Sequence, residues 1–471
     1  MAVLSCGLLL LRQVLIMSKS GLTSTELRAA FSLASVFSLR MLGLFMILPV
    51  FALYGQHLEG YSPLWVGIAI GAYGLTQAVL QIPMGMASDR FGRRKIIILG
   101  LLMFSAGSAV AASAHTVWGV VLGRAMQGAG AIASAVLALA ADLSRDEQRP
   151  KVMAIIGVSI GTSFAIAMVA GPILASHWGL SGLFWLTAVL ALVGIAVVQL
   201  AVPKVVSQAP KGDTMPAPKR LGKMLKDPQL IRLDLGIFLL HFLLTSIFVV
   251  MPSMLVQAGL PSDRHWELYF PIVVIAFFGM VPMIIIAEKK HLSRQMVQVA
   301  LVIMLGALAA AWFLKHWLWG LIAALMLFFI AFNFLEATLP ALIARIAPAG
   351  DKGSAMGIYS SSQFLGAFFG GSLAGAMAQY ADKQGVLIMA AALVLLWLWM
   401  SRGMRHPSNL KSVSLSADSL RGREKQVADG LSALPGVLEV NVMAEESAIY
   451  LKVNTQEFEL AEARALLAKA G

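Results

Sequence analysis

The sequence predicts an all-α membrane protein of twelve transmembrane helices in two six-helix halves, followed by a small C-terminal α+β domain of ferredoxin-like type. Three observations carry that expectation. Of 471 residues, 59% are hydrophobic and 13% charged, and the mean hydropathy is +0.80, a balance that soluble domains do not approach. The apolar residues fall into runs long enough, at about 1.5 Å per residue, to cross about 30 Å of hydrocarbon. After residue 408 the pattern changes to short alternating strands and amphipathic helices.

Composition also excludes several functions. A net charge of +12 would suggest nucleic acid in a soluble protein, but these cations lie in loops on one side of the bundle, where they orient helices, so no nucleic-acid partner is expected. Cys6 is the only cysteine, which rules out a disulfide framework within the chain and a cysteine-based metal site. No metal-ligand cluster or nucleophile-base pair lies within the spans, so neither an enzyme nor a cofactor is expected.

Residues 1–27 read as an N-terminal cytoplasmic segment. Residues 1–16 are apolar with a single Arg, and the basic region that a signal peptide requires does not precede them. Met17 is therefore the expected initiator and 1–16 an over-extended start. The first half, 28–202, holds apolar spans at 31–54, 65–87, 96–114, 117–143, 152–175 and 180–202. Residues 203–228 form a linker with five prolines and six Lys or Arg residues, including a basic surface-lying piece at 219–226. The second half, 229–407, holds spans at 233–256, 266–287, 295–314, 317–344, 354–380 and 385–400.

Charge sorting orients the bundle. Loops assigned to the cytoplasm hold Arg90, Arg93, Arg94, Lys95, Arg145, Arg149, Lys151, Lys289, Lys290, Arg294, Arg345 and Lys352, whereas the opposite loops hold only Arg264, Lys315 and Lys383. Both termini are then cytoplasmic, as an even number of crossings requires. A repeat supports the count: a shift of 199 sets Pro83, Asp89 and Arg90 on Pro282, Glu288 and Lys289, and a shift of 200 sets Gly157 and Gly171 on Gly357 and Gly371.

The hairpin between the second and third spans reads Gly85-Met86-Ala87-Ser88-Asp89-Arg90-Phe91-Gly92-Arg93-Arg94-Lys95. A glycine closing the entering helix permits close backbone approach, and Gly92 can take the positive φ that reverses the chain. The run resembles the G-x-L-A-D-R-x-G-R-K signature of the major facilitator superfamily, with Gly85, Asp89, Arg90, Gly92, Arg93 and Lys95 at signature positions. The resemblance implies the major facilitator fold, with a substrate cavity between the halves near the midplane. It also implies a conformational switch in which Asp142, ending the fourth span, pairs with Arg93 while Asp89 docks at the N-terminus of the eleventh span near Ser354. As an exposed charge cluster, this switch is expected to contribute about 1 kcal/mol or less to stability.

Other motifs extend the likeness. Arg124-Ala125-Met126-Gln127-Gly128 resembles the family's R-x-x-Q-G, which implies a role in proton coupling; an arginine capped by carbonyls is the structural alternative. Gly157, Gly161, Gly171 and Pro172 in the fifth span partly resemble the antiporter motif G-x-x-x-G-P-x-x-G-G, a helix-packing motif, with Ala167, Ala175 and Ser176 where glycines are usual. With Arg40 in the first span, the set resembles drug:proton antiporters of twelve helices. Two further intramembrane groups come from the residues themselves. Near the midplane only His and carboxylates change charge at an energy that a proton gradient supplies, which makes His241 and Glu336 candidate proton carriers; Asn333 lies one turn before Glu336. A neutral histidine bonded to a carbonyl is the alternative for His241.

The tail, 408–471, alternates as strands at 412–415, 437–443 and 448–453, with helices at 420–434 and 460–467, a βαββα order. Residues 431–437 resemble the helix-to-strand junction of heavy-metal-associated domains, but Ser416-Ala417-Asp418-Ser419 stands where their C-x-x-C lies, so no soft metal is expected. The whole resembles bacterial inner-membrane members of the superfamily that carry such a tail. The expected function is proton-coupled antiport by a monomer in the lipid bilayer, exporting a small amphiphilic or hydrophobic compound by alternating access. A sugar or metabolite exporter and a membrane sensor with a regulatory tail are the alternatives.

Overall fold

The computed structural model describes residues 21–145, 148–204, 221–222, 224–404, 410–416, 424–443, 448–454 and 456–470. The Met17 start, most of the linker and its basic piece lie outside the described residues, apart from 221–222 and 224–226.

Helix α1 (Ser24–Phe45) starts from a capping box: Thr23 Oγ1 accepts from the Glu26 amide, and the Glu26 carboxylate accepts from the Thr23 amide. With α2 (Leu48–Tyr54) it makes the first crossing, broken just before Pro49. The second and third crossings are α3 (Pro63–Phe91) and α4 (Arg93–Ala112), reversed at Gly92, whose φ of 97° suits a residue without Cβ. The fourth crossing is also two pieces, α5 (Val117–Ala129) and α6 (Ala133–Asp142). They break at Gly130, where a Cβ would sit 2.2 Å from the Gly100 carbonyl oxygen. Helix α7 (Arg149–Leu200) runs 52 residues, about 78 Å if straight and more than twice the hydrocarbon thickness. It turns at Gly179, with φ 63° and ψ −171°, and supplies the fifth and sixth crossings.

The second half comprises α8 (Pro228–Gln257), α9 (His265–Lys289), α10 (Ser293–Phe313), α11 (Leu318–Ile346), α12 (Lys352–Tyr380) and α13 (Asp382–Ser401). Among the described residues ten helical stretches are long and apolar enough to span a membrane; α7 counts twice, and the glycine- and serine-rich α12 completes twelve. Asp227 caps α8 by accepting from the amides of Gln229 and Leu230.

The halves meet on the side remote from the Gly92 hairpin. Along α3, a Cβ at Gly67, Gly71 or Gly74 would lie 2.1–2.7 Å from the carbonyl oxygens of Gly371, Phe368 or Phe364 on α12, so the two backbones touch where only glycine fits. Polar contacts flank this seam: the Leu64 amide donates to Gln379 at 3.3 Å and Ser361 Oγ donates to the Ala78 carbonyl at 3.0 Å. Leu48, Phe51 and Val66 of the first half share one core with Leu240 and Phe248 of the second. The core on the hairpin side of the first half, with Ala30, Ile97, Val136 and Ile156, is separate.

The tail forms an antiparallel sheet in the order β1-β3-β2, with β1 (Leu410–Ser416), β2 (Val437–Met443) and β3 (Ala448–Asn454). Helices α14 (Glu424–Ser432) and α15 (Leu460–Ala470) cover one face over Val427, Leu431, Ile449, Leu451 and Ala463. The first strand is longer than expected because β3 pairs it from Leu410↔Asn454 to Ser416↔Ala448. The expected start of the first tail helix, at 420, lies outside the described residues.

The other sheet face has a contact that alternation alone does not reveal. It docks on the turn between α11 and α12: Met443 and Tyr450 pack on Ala349 and Gly350, and Asn441 donates to the Ala349 carbonyl at 3.0 Å. Lys452 Nζ donates to the Ile346 carbonyl at 2.6 Å, setting a cation on the C-terminus of α11, where the helix dipole is negative.

Candidate functional site

In the second half three helices bring His241, Glu336 and Gln363 together. His241 lies on α8, Glu336 on α11 and Gln363 on α12, and these helices pack closely because Gly366 and Gly370 let α12 sit against the Phe238 and Phe242 carbonyls of α8. The Gln363 amide nitrogen lies 2.9 Å from His241 Nε2 and 3.2 Å from Glu336 Oε1. An NH2 group has two hydrogens to donate, so here His241 accepts as a neutral imidazole while Glu336 accepts at its carboxylate. His241 Nε2 and Glu336 Oε2 are 3.8 Å apart, and their side chains are 14% and 38% exposed. The Glu336 side chain is thus partly exposed and the imidazole buried, while the carboxylate's Oε2 is itself buried without a hydrogen-bond partner among the described residues. Asn333 is half-buried one turn away.

Aromatic rings surround this polar group. Phe332 meets the His241 ring edge-on at 5.9 Å, and Phe164 of α7 bridges the halves by approaching Phe329 and Phe332 at 6.1 and 6.5 Å. Phe45 adds a ring from α1, 5.2 Å from Phe164.

Arg40 and Arg124 are elsewhere, inside the first half and only 1% and 2% exposed. Arg40 donates to Gln77 Oε1 at 2.7 Å and the Gly130 carbonyl at 3.1 Å; a chain then runs from Gln77 to Gln81 and Ser134. Arg124 donates to the carbonyls of Ala69 and Ile70 and to Gln127. Both guanidinium groups stand over the Tyr73 ring, at 5.7 and 5.3 Å from its centroid. These contacts have the form of the carbonyl-capped alternative for Arg124, and they tie helices of one half together.

At the hairpin, Arg93 is the hub. Its Nε donates to Asp142 and its Nη1 donates to Asp89 at 2.9 Å. Asp89 does not follow the expectation of a place near Ser354; its polar partner is Arg93, one turn away, and its side chain is 21% exposed. Arg93 and Asp142 are 5% and 1% exposed, so the cluster is not the exposed one expected. Arg90 lies 5.6 Å over the Phe91 ring, and Gly85 is buried in α3. In the repeat, Glu288 pairs with Arg345 at 2.8 Å.

The fifth-crossing glycines divide. A Cβ at Gly171 would meet the Met46 carbonyl oxygen at 2.5 Å, so Gly171 packs on the first crossing, beside Pro172. Gly157 and Gly161 are exposed and a Cβ there would meet nothing within 4 Å, so neither packs a helix in this arrangement.

Sequence reasoning misses Asp234, seven residues before His241 on α8 and 8% exposed. Its position at the very start of the expected span makes it resemble an interfacial residue, although its spacing from His241 is two helical turns.

With this geometry in hand, comparison with known proteins is decisive for the family. The Major Facilitator Superfamily model matches residues 33–335 and 292–422. The chain belongs to the Major Facilitator Superfamily. It is 44% identical over 445 residues to the inner membrane transport protein YajR of Escherichia coli (strain K12), covering 94% of this chain and 98% of that one. It is 28% identical over 338 residues to the multidrug resistance protein MdtH of Klebsiella pneumoniae (strain 342), covering 71% and 81%. In fold it is similar to a bacterial homolog of the human lysosomal transporter Spinster, in an inward-facing and occupied conformation, with a TM-score of 0.67 at 15% identity over 81% of this chain and 97% of that one. The protein is thus a multi-pass membrane transporter of this superfamily.

Proposed function

We propose that the chain is a proton-coupled antiporter of the bacterial inner membrane, with both termini cytoplasmic, that exports a small amphiphilic or hydrophobic compound. One observation carries the reading: the Gln363 amide joins an imidazole and a carboxylate across α8, α11 and α12. Protonating His241 turns its Nε2 from acceptor into donor. The amide bond is then lost and the imidazolium faces Glu336 as an ion pair. One proton so changes the link among three helices, of which α12 also carries the glycine seam to the first half.

The ring cluster around Phe164, Phe329 and Phe332 favours an apolar or amphiphilic cargo. The name of the MdtH relative supports export, and that of the YajR relative supports the inner membrane. The cation-rich loops put the Gly92 hairpin in the cytoplasm. With the remote side sealed by α3 and α12, this arrangement is the cytoplasm-open state of an alternating-access cycle, and Asp89, docked on Arg93, is free to move to α12 when the halves rock. The tail, seated on the α11–α12 turn, is regulatory and takes no soft metal.

The test is proteoliposomes containing a trapped pH dye, challenged with ethidium and other lipophilic cations. Substrate-dependent proton movement opposite to the compound is expected. Compound flux without proton movement overturns the coupling, and movement of both in one direction overturns antiport.

A further inference from the structure

Asp234 sits in the first two turns of α8, on the same helix face as His241 and about 10.5 Å nearer the hairpin side. The residue is 8% exposed, and its Oδ1 is buried with no hydrogen-bond partner among the described residues. No cation is paired with it among them either. A carboxylate oxygen buried without a donor, in a group with no ion-pair partner among the described residues, is costly by several kcal/mol on the general scale for buried charges.

A second group connects it to the site. Tyr359 on α12, one turn before Gln363 and itself buried, interacts electrostatically with both Asp234 and Glu336. Tyr359 is therefore the titratable group across the packed helices that senses Asp234, and Glu336 acts on Tyr359 rather than on Asp234. From α13 the adjoining turn of α8 is covered by the apolar Trp397, which packs on Gly236.

We propose that Asp234, buried two turns from His241 on the same face of α8, is a second carrier of the transported proton beside the Glu336–His241 pair. This rests on the proton-coupled reading and adds a station to it. The second half then holds two proton sites, a partly exposed one at Glu336 and a buried one nearer the hairpin side.

Infrared titration of the purified full-length protein tests this directly, because a protonated carboxyl has a carbonyl band that a carboxylate lacks. In the difference between wild-type and Asp234→Asn titrations a component of this band that belongs to Asp234 is expected, restored in Asp234→Glu. Its midpoint is expected to move in Glu336→Gln and in Tyr359→Phe. In vesicles loaded with ethidium, the ratio of pH-driven flux to exchange is expected to fall at least tenfold in Asp234→Asn and to recover in Asp234→Glu. A band unchanged by Asp234→Asn, or a midpoint indifferent to Glu336, overturns the proposal alone. Wild-type flux that ignores an imposed pH gradient overturns the coupled reading and the carrier role together. Should Asp234→Asn fail to fold, the Asp234→Glu titration decides the question: a band midpoint displaced from wild type supports the carrier role, and an unchanged one overturns it.

Discussion

Arg93, in the first turn of α4, donates to Asp142 at the end of α6, and both side chains are almost wholly buried. A buried pair behaves differently from a surface one. Removing one partner strands a charge and costs about 3–5 kcal/mol, whereas replacing both with apolar residues of similar size is near neutral. Arg93→Ala is thus expected to lower folded yield and melting temperature sharply, and Arg93→Met with Asp142→Leu to recover most of the loss. Asp89→Asn touches a partly exposed pair and is expected to cost about 1 kcal/mol or less while slowing transport. Thermal melts in detergent separate these outcomes; equal melts for Arg93→Ala and wild type contradict the first.

Glu336→Gln keeps the shape of the Gln363 contact but removes the charge. Proton-driven flux is expected to disappear, with exchange affected far less. Loss of compound binding with proton movement intact would instead make Glu336 a substrate ligand.

The glycine seam is a steric prediction. Gly67→Leu puts a side chain where the Gly371 carbonyl stands, 2.1 Å from a Cβ, and overpacking of this kind costs about 1–3 kcal/mol. The remote side should no longer seal. With Cys6 replaced by Ser, cysteines placed at Leu64 and Gln379 are expected to crosslink readily, and poorly when Gly67→Leu is also present. Undiminished crosslinking would show that the backbones separate without cost.

Lys452 gives a pH dependence outside the membrane. Burial lowers its proton affinity below the ordinary lysine value of 10.5, with Glu439 and Asp227 pulling weakly the other way. The undocked tail therefore binds the proton more tightly than the docked one, and docking strengthens as pH rises through the window between the lowered value and 10.5. Protease protection of the segment before β1 is expected to increase over that window in wild type and to stay flat in Lys452→Met. The reverse slope would mean that the ammonium form is what holds the tail.

Deleting 408–471 is expected to leave measurable flux, since every member of the His241–Gln363–Glu336 group lies on α8, α11 and α12. Complete loss of flux in a well-folded truncation would place the tail in the transport cycle itself.

Much of this is written in local sequence. Twelve crossings follow from apolar run length, the sixth crossing separates from the fifth at Gly179, and the strands at 437–443 and 448–454 follow from alternation, because each depends on residues adjacent in the chain. His241 and Glu336 stand out for the same reason: a titratable group in an apolar run is visible one residue at a time. Only the tertiary structure decided what these groups touch. That Gln363 joins the two, that Arg40 and Arg124 make their bonds within one half, that Asp234 is buried, and that Lys452 caps α11 all depend on contacts between helices and strands far apart in sequence. Hydropathy reports which residues leave water but not which neighbours they meet, and in a bundle packed through glycine seams the neighbours decide whether a charge is a clamp or a carrier.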